Sequence, residues 1–224
     1  MKNLLRRPVV TSAAPQPWHA PAWQIQSLLL DYPDDAYPGH LDLARRVAPA
    51  LPPAVAGPLV AFTDRAVGTP LADLAAAYVA TFDHRKRCCP YLTYYAHGDT
   101  RKRGLALLRL KRAYAACGHR LTDGELPDHL AVVLEFAAAD PPTGHGLLTE
   151  HRAGLELLRL ALHDEDAPWA ALLDSVSATL PALEGDEHEA VARLAAEGPP
   201  GEEVGLDPYP PPQFLPDPTL GGPR

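Results

Sequence analysis

Apolar residues recur along the chain at spacings of three and four, which is the period of one face of an α-helix. Alanine and leucine fill most of these positions, and Ile25 is the only isoleucine, a composition that favours helices over sheets. We therefore expect an all-α fold, arranged as a single-domain helical bundle. The pattern predicts helices at residues 22–31, 38–49, 52–67, 70–82, 99–117, 126–139, 145–163, 168–179 and 186–196.

Two features strengthen this pattern. The pair Thr69-Pro70 is a favourable helix start, because threonine can cap free amide groups and proline suits the first helical position. The segment 99–117 carries a continuous apolar stripe, widened on one side by Leu105 and Leu108, so we expect this helix to be central to the core. The stripe consists of Leu107, Leu110, Tyr114 and Cys117.

The two ends of the chain differ in composition from its middle. Residues 1–20 are proline-rich and aperiodic, and residues 198–224 contain nine prolines, too many for a helix. We expect a flexible N-terminal segment at 1–20, a helical domain at 21–197 and a disordered acidic tail at 198–224. No segment reaches the roughly 18 unbroken apolar residues of a membrane helix, and the three cysteines form no CxxC pair. The sequence thus predicts a cytoplasmic protein without direct membrane insertion.

Charge is distributed unevenly along the chain, whose formal net charge is −8. Residues 84–112 hold nine basic residues and one acid, whereas residues 182–224 hold nine acids and two arginines. The two regions could neutralise each other. Alternatively, the basic region 85–112 and the aromatic run at 91–95 could grip phosphates and stack bases. A nucleic-acid-binding regulator is therefore one functional hypothesis, and it is the alternative to the role considered below.

Motifs of known enzymes and metal sites are missing from the sequence. It has no glycine-rich phosphate loop, no GxSxG and no HExxH. His145 and His151 are six residues apart, so a helix would place them on divergent faces, and His151 continues a core stripe of leucines. We expect no catalytic residue, no metal and no cofactor.

The segment Glu125-Leu-Pro-Asp-His-Leu130 places two carboxylates and an imidazole near a predicted helix start. Such a cluster could move protons or bind a cation. A structural role competes with it, because Thr122 to Glu125 matches a capping box and Asp128 in a first turn is favoured by the helix dipole. These residues leave both interpretations open.

Several unlike motifs follow one another along the chain: YVATFD at 78–83, YLTYY at 91–95, GDTRKRG at 98–104, ELPDHL at 125–130 and VLEF at 133–136. Together they resemble the NarJ family of respiratory nitrate reductase assembly chaperones, and the likeness runs from about Trp23 to Leu183. Pro90 stands where that family leads us to expect an aliphatic residue. The resemblance implies a helical bundle of the type found in NarJ and in the related TorD and DmsD chaperones.

The resemblance also implies a function. Members of the NarJ family are not enzymes. They bind the apo form of the catalytic, molybdenum-containing subunit of nitrate reductase through its N-terminal segment. In this way they promote molybdenum cofactor insertion and assembly of the complex. Aromatic walls and a carboxylate rim would suit a basic leader peptide, and His129 could make recognition pH-sensitive. We expect a monomer or weak dimer, with the loop at 83–98 as a hinge. The residues carried over as peptide-binding are Tyr78, Thr81, Phe82, Asp83, Tyr91, Tyr94, Tyr95, Glu125, Pro127, Asp128 and His129.

Overall fold

The computed structural model describes residues 14–122, 124–183 and 185–197, and within them the chain forms helices and no strand. The all-α prediction is therefore confirmed. Residues 1–13 and the predicted tail at 198–224 lie outside the described residues. None of the described helices is long and apolar enough to cross a membrane. The α-helices are α1 His19–Leu30, α2 Tyr37–Val47, α3 Pro53–Val67, α4 Leu71–Tyr78, α5 Leu92–His97, α6 Arg101–Ala116, α7 Leu130–Ala139, α8 Pro141–Glu150, α9 Arg152–Asp164, α10 Ala170–Ser177 and α11 Gly185–Glu197.

Helix α1 lies in the middle of the fold and packs against α7, α2 and α10. Its sequence HAPAWQIQSLLL has apolar or small residues on nearly every side, so most of its surface must be covered by protein. Two polar side chains are buried with it: Gln26 donates to the Ser175 hydroxyl (2.9 Å), and Ser27 donates to the Ala131 carbonyl (2.7 Å). Because buried polar groups cost free energy unless they are hydrogen-bonded, these bonds fix α10 and α7 against α1.

Three aromatic side chains close the C-terminal end of α1. The Leu29 carbonyl accepts hydrogen bonds from the Tyr37 hydroxyl (2.8 Å) and the Trp169 indole (3.2 Å), and the Leu30 carbonyl accepts one from the Tyr78 hydroxyl (3.2 Å). The last carbonyls of a helix have no partner within the helix itself. These bonds therefore satisfy them and join α1 to α2, α4 and the start of α10.

Helices α7 and α8 form a tight hairpin. Asp140 joins them, and its Oδ1 accepts a hydrogen bond from the Thr143 amide (3.0 Å), which caps α8. Gly144 of α8 lies so close to α7 that a Cβ at this position would overlap the backbone and side chain of Ala137. The absence of a side chain at Gly144 thus sets the distance between the two helices.

Two predicted segments differ from the structure. The single helix predicted at 145–163 is wrong, because the chain leaves the helical conformation at His151 between α8 and α9. Its apolar stripe nevertheless continues across the interruption, since Leu148 and Leu155 are both fully buried. The long loop predicted at 83–98 is also wrong, because it contains a short 3-10 turn at Lys86–Cys88 and the helix α5.

Helix α4 confirms the predicted helix near 70–82 but differs at both ends. It begins at Leu71, and the Thr69 hydroxyl donates back to the Arg65 carbonyl (3.0 Å) instead of capping α4. Over Val79–Asp83 the helix widens into a π-type turn, in which the His84 amide donates to the carbonyl five residues earlier (3.3 Å). Such turns insert one extra residue and change which side chains face inward.

Helix α6 lies at the periphery, so the expectation that it is central to the core is wrong. Its buried side chains, Leu110 and Tyr114, form a small separate cluster with Phe136. Leu105 and Leu108, which were expected to widen the buried face, are 67% and 43% exposed. Helices α1 and α7 hold the central position instead.

The α7–α8 contact gives a matched pair of substitutions. Gly144→Ala should lower the free energy of unfolding by about 1–3 kcal/mol, because the added methyl group overlaps Ala137 and the hairpin must open. Gly146→Ala in the same helix meets nothing within 4 Å and should raise it by about 0.4–1 kcal/mol. Urea denaturation of both variants measures the difference, and equal stability of the two would contradict the close packing.

Candidate functional site

Backbone hydrogen bonds hold two of the predicted peptide-binding motifs together. The Leu92 amide donates to the Asp128 carbonyl (2.9 Å), and the Leu130 amide donates to the Pro90 carbonyl (2.8 Å). The result is a short antiparallel bridge between the segments that precede α5 and α7. Pro90 contributes only its carbonyl, so a residue without an amide hydrogen suits this position.

Asp128 is a buried side chain and not part of an exposed rim. It is 0% exposed, and its Oδ2 accepts a hydrogen bond from the Thr93 hydroxyl (2.5 Å) and lies 3.5 Å from the Arg103 guanidinium. Asp128 Oδ1 and Arg103 Nε have no hydrogen-bond partner among the described residues. A buried carboxylate needs partners such as the Thr93 hydroxyl and the Arg103 guanidinium to offset its lost hydration. The prediction that Asp128 meets the cations of a peptide at the surface is therefore wrong, and the residue instead ties α5 and α6 to the start of α7.

Arg103 connects α6 to the tyrosines of the site. Its guanidinium carbon lies 5.4 Å from the centre of the Tyr91 ring and 6.0 Å from that of Tyr94, distances at which a cation is attracted to an aromatic face. The same guanidinium pairs with Asp99 (2.8 Å). Only 16% of the Arg103 side chain is exposed, so this residue supports the site from within.

Side chains from four segments lie beside this buried layer. The rings of Tyr91 and His129 meet edge to face, with their centres 5.3 Å apart, and both residues are half-buried. Asp31 and Tyr32 follow the end of α1, and Asp83 ends the π-type turn; all three are exposed. The carboxylate of Asp31 opposes the lowering of the His129 pKa by burial, and the carboxylate of Asp83 adds to the raising of the Tyr91 pKa by burial. We call these five residues the mouth.

Two groups of the mouth have shifted pKa values. Burial lowers the pKa of His129 below its ordinary value of 6.5, and the carboxylates of Asp31, Asp128 and Glu125 oppose this shift only in part. Burial also raises the pKa of Tyr91, with nearby thiol and carboxyl groups adding to the effect. At pH 7 the mouth therefore presents a neutral imidazole and a neutral phenol beside its carboxylates.

Tyr78, Thr81 and Phe82 lie beneath the mouth and do not line it. All three are buried, and the rings of Tyr78 and Phe82 each lie 5.4 Å from that of Trp169 in the core. Tyr32, which is 49% exposed, packs edge to face on Tyr78 with the ring centres 5.6 Å apart. The expected walls of Tyr78 and Phe82 are thus core residues, and the exposed aromatic surface belongs to the mouth.

The other two tyrosines also have supporting positions. Tyr95 is buried, and its hydroxyl donates to the carbonyls of Arg87 (3.0 Å) and Cys89 (2.9 Å). Tyr94 is half-buried, with its ring facing Arg103. These contacts hold α5 against the chain that precedes it.

The capping-box interpretation of the segment 122–130 is wrong. Helix α7 begins only at Leu130, and the Thr122 hydroxyl donates to the Glu125 carboxylate (2.7 Å), not to a helix amide. Pro127 is buried outside the helix, and its carbonyl accepts a hydrogen bond from the Tyr114 hydroxyl (2.6 Å). Glu125 is exposed, as a peptide-binding role requires.

Four of the nine basic residues at 85–112 are paired with acids, which reduces the open cationic surface of this region. The pairs are Arg85 with Glu165, Arg87 with Asp164, Arg103 with Asp99 and Asp128, and Arg109 with Glu150. The nucleic-acid hypothesis gains no support from this arrangement. Within the described part of the chain, no three His, Cys, Asp or Glu side chains are grouped so that they could hold a metal ion.

Four residues of the site escaped prediction from sequence. Asp31 and Tyr32 follow a helix with no recognisable motif, and only the folded chain brings them to Tyr78 and His129. Thr93 and Arg103 do lie in the motifs YLTYY and GDTRKRG, but nothing in the sequence pairs them with Asp128. An alternation of buried and exposed positions cannot reveal such contacts between distant segments.

Comparison with known proteins gives a consistent family. The family described as nitrate reductase delta subunit matches residues 48–174, which include Asp83, Tyr91 and the His129 segment. The Bacillus subtilis protein named "Probable nitrate reductase molybdenum cofactor assembly chaperone NarJ" is 32% identical over 156 residues, which are 69% of this chain and 85% of that protein.

Two further similarities have narrower meaning. The Mycobacterium tuberculosis protein named "Nitrate reductase-like protein NarX" is 39% identical over 165 residues, but the match spans 72% of this chain and only 24% of that longer protein. The structure described as "Crystal Structure Of A Putative Redox Enzyme Maturation Protein From Archaeoglobus Fulgidus" matches 80% of this chain and 98% of that chain, at a TM-score of 0.55 and 21% identity. At that identity the likeness concerns the fold alone, and it agrees with the all-α bundle.

The buried position of Asp128 predicts its effect on stability. Asp128→Ala should lower the free energy of unfolding by about 2–4 kcal/mol, because it leaves the Thr93 hydroxyl and the Arg103 guanidinium without their shared partner. Asp99→Ala removes the exposed partner of the same arginine and should cost at most about 1 kcal/mol. Denaturant unfolding compares the two, and a harmless Asp128→Ala would show that the buried contact is dispensable.

The lowered pKa of His129 predicts an acid-sensitive fold. Between pH 6.5 and the lower pKa of the folded state, the unfolded chain binds more protons, so stability falls as the pH falls, by at most about 1.4 kcal/mol per pH unit for one proton. His129→Gln should reduce this slope without removing it, because burial lowers the pKa of His145 and His151 as well. Urea unfolding from pH 7.5 to 5.5 measures the slope, with exposed His84→Gln as control; an unchanged slope in His129→Gln contradicts the prediction.

Proposed function

This chain belongs to the nitrate reductase delta subunit family, and on that premise we propose that it is an assembly chaperone for a nitrate reductase. Its client is the apo form of the molybdenum-containing catalytic subunit, which it binds through the N-terminal segment of that subunit. By holding the client in this form it promotes insertion of the molybdenum cofactor and assembly of the complex.

The family match is the observation that carries this proposal. Of the two relatives described above, the Bacillus subtilis protein is the one whose length this chain covers more fully. It is named as a molybdenum cofactor assembly chaperone for nitrate reductase, and not as a catalyst. This agrees with the expectation that the chain is not an enzyme. The chain spans about a quarter of NarX, so the role of that longer protein is no guide here.

The mouth is our candidate for the client site. Exposed Asp31 and Asp83 offer carboxylates to the cations of a basic leader peptide. Glu125, which is also exposed and precedes His129 by four residues, adds a third carboxylate outside the mouth. Tyr32 and Tyr91 offer aromatic surface to its apolar side chains. The buried residues Tyr78, Thr81, Phe82, Tyr95, Pro127 and Asp128 have a supporting role, because they hold the segments that carry the mouth.

The remaining features of the role follow from the sequence predictions. We propose that the protein acts in the cytoplasm, as a monomer or weak dimer, without a cofactor of its own and without nucleic acid. The domain that performs this role is the predicted range 21–197, extended to His19 because α1 begins there. Its three cysteines are free thiols, which suits a reducing compartment.

Calorimetric titration of the full chain tests the proposal. The ligands are the N-terminal peptide of the nitrate reductase catalytic subunit from the same organism and the intact apo-subunit. We expect saturable binding of the peptide with one site per chain. If neither the peptide nor the apo-subunit binds, the proposal is wrong; if only the intact subunit binds, the client is right and the N-terminal segment is not the recognised part.

Charge-neutralising variants test the position of the site. Asp31→Asn combined with Asp83→Asn should weaken peptide binding by about 3–10-fold, because each exposed ion pair contributes up to about 1 kcal/mol. Asp35→Asn combined with Asp42→Asn removes the same charge from exposed positions outside the mouth and should leave affinity unchanged. The melting temperature should stay the same in both. Equal weakening by the two pairs would point to a general charge effect and against the mouth.

A further inference from the structure

The outer face of α6 carries a stripe of two leucines between two arginines. Arg101, Leu105, Leu108 and Arg112 follow at intervals of four, three and four residues, which places all four on one side of the helix. All four are exposed, and the leucines are 67% and 43% exposed. We call these residues the outer stripe. A single exposed leucine is ordinary on a protein surface, but two on adjacent turns form a continuous apolar patch.

This patch lies in an excess of positive charge. Helix α6 contains six basic residues and no acid. Within the part of the chain that the structure describes, Arg101, Lys102, Lys111 and Arg112 take part in no salt bridge, whereas Arg103 and Arg109 do. The face thus suits a partner that has carboxylates and apolar side chains together. Nucleic acid fits it poorly, because leucines at the centre of the stripe offer nothing to a phosphate.

The same chain contains a segment with the complementary composition. Residues 202–217 hold four acids and no basic residue, together with several large apolar side chains. The acids are Glu202, Glu203, Asp207 and Asp217, and the apolar residues include Leu206, Tyr209, Phe214 and Leu215. We propose that this segment, which we call the acidic tail, binds across the outer stripe of α6 in the same molecule.

The length of chain between α11 and Phe214 allows this contact. Sixteen residues, 198–213, separate the end of α11 at Glu197 from Phe214. A proline-rich chain extends by about 3.1 Å per residue, so this connection reaches about 50 Å. A domain of about 180 residues has a radius of gyration of about 16 Å, so a path of this length along its surface reaches most of the domain. Helix α11 packs on α9, α9 contacts α5, and α5 contacts α6, so the outer stripe lies within that range.

Attachment to the domain also compensates for weak contacts. Surface ion pairs contribute little individually, and salt screens them. A covalently tethered segment, however, is present at an effective concentration of the order of millimolar. Several weak ion pairs and the covered leucines together therefore suffice to keep the acidic tail on α6 for much of the time. The contact is independent of the chaperone role, since neither the mouth nor a client takes part in it.

Zero-length crosslinking with a carbodiimide tests the contact in the full chain. The reagent joins a lysine amine to a nearby carboxylate, and the chain has four lysines: Lys2, Lys86, Lys102 and Lys111. We expect crosslinks from Lys102 or Lys111 to the four acids of the tail, with Lys86 as the internal control. They should disappear in about 1 M NaCl, where the screening length is about 3 Å. A mixture of isotopically light and heavy protein distinguishes crosslinks within one molecule from those between two.

Amine acetylation gives a second measurement that does not depend on crosslinking yield. Replacing the tail acids by Gln or Asn (Glu202→Gln, Glu203→Gln, Asp207→Asn and Asp217→Asn) should make Lys102 and Lys111 react about two- to fivefold faster, as expected when a mostly occupied tethered contact is lost. Lys86 should react at the same rate in both proteins.

Charge reversal on the helix supplies the matched control. Arg101→Glu with Arg112→Glu should abolish the crosslinks and should make Lys102 and Lys111 react faster, to the same extent as replacement of the tail acids does. Arg46→Glu with Arg65→Glu makes the same charge change at exposed positions elsewhere and should have neither effect. The proposal is overturned if crosslinks to Lys86 are as frequent, if they form only between molecules, or if neither crosslinking nor acetylation responds to the tail.

Discussion

The closed end of α1 is the contact on which the site depends most directly. A helix that is covered on nearly every side leaves its final carbonyls inside the protein, where water cannot reach them. The hydroxyls of Tyr37 and Tyr78 and the indole of Trp169 supply the missing donors. The same three bonds position the chain that leaves α1, so the core and the mouth are built by one set of interactions.

Most of the helical fold could be predicted from the sequence, because leucine and alanine spacing records which side of each helix faces protein. The failures have physical reasons. His151 interrupts a helix without disturbing the apolar stripe from Leu148 to Leu155. The spacing of apolar residues does not reveal a break in a helix when the same face stays buried on both sides of it. Leu105 and Leu108 have the spacing of core residues but lie on a helix at the edge of the fold. Apolar spacing identifies a face, and only the neighbouring helices decide whether that face is covered.

The site was predictable as a region but not as a set of roles. The motifs around Tyr91 and His129 do meet, through backbone hydrogen bonds. Asp128 was expected at a rim and lies inside, because its partners Thr93 and Arg103 come from segments that sequence alone cannot bring together. A carboxylate and a tyrosine look the same in a sequence whether they meet solvent or close a helix end. Burial, and therefore role, is a property of the assembled fold.

The π-type turn at 79–83 makes the backbone hydrogen-bond pattern of this segment as important as its composition. The turn holds one residue more than a regular helix would, and with it Thr81 and Phe82 face the core while Asp83 reaches the surface. A regular α-helix over the same residues would rotate everything beyond the turn by about 100°, since a helix has 3.6 residues per turn. Asp83 would then leave the surface beside Tyr91. The outward position of Asp83 thus follows from the wider hydrogen-bond pattern of the backbone and not from the spacing of its neighbours alone.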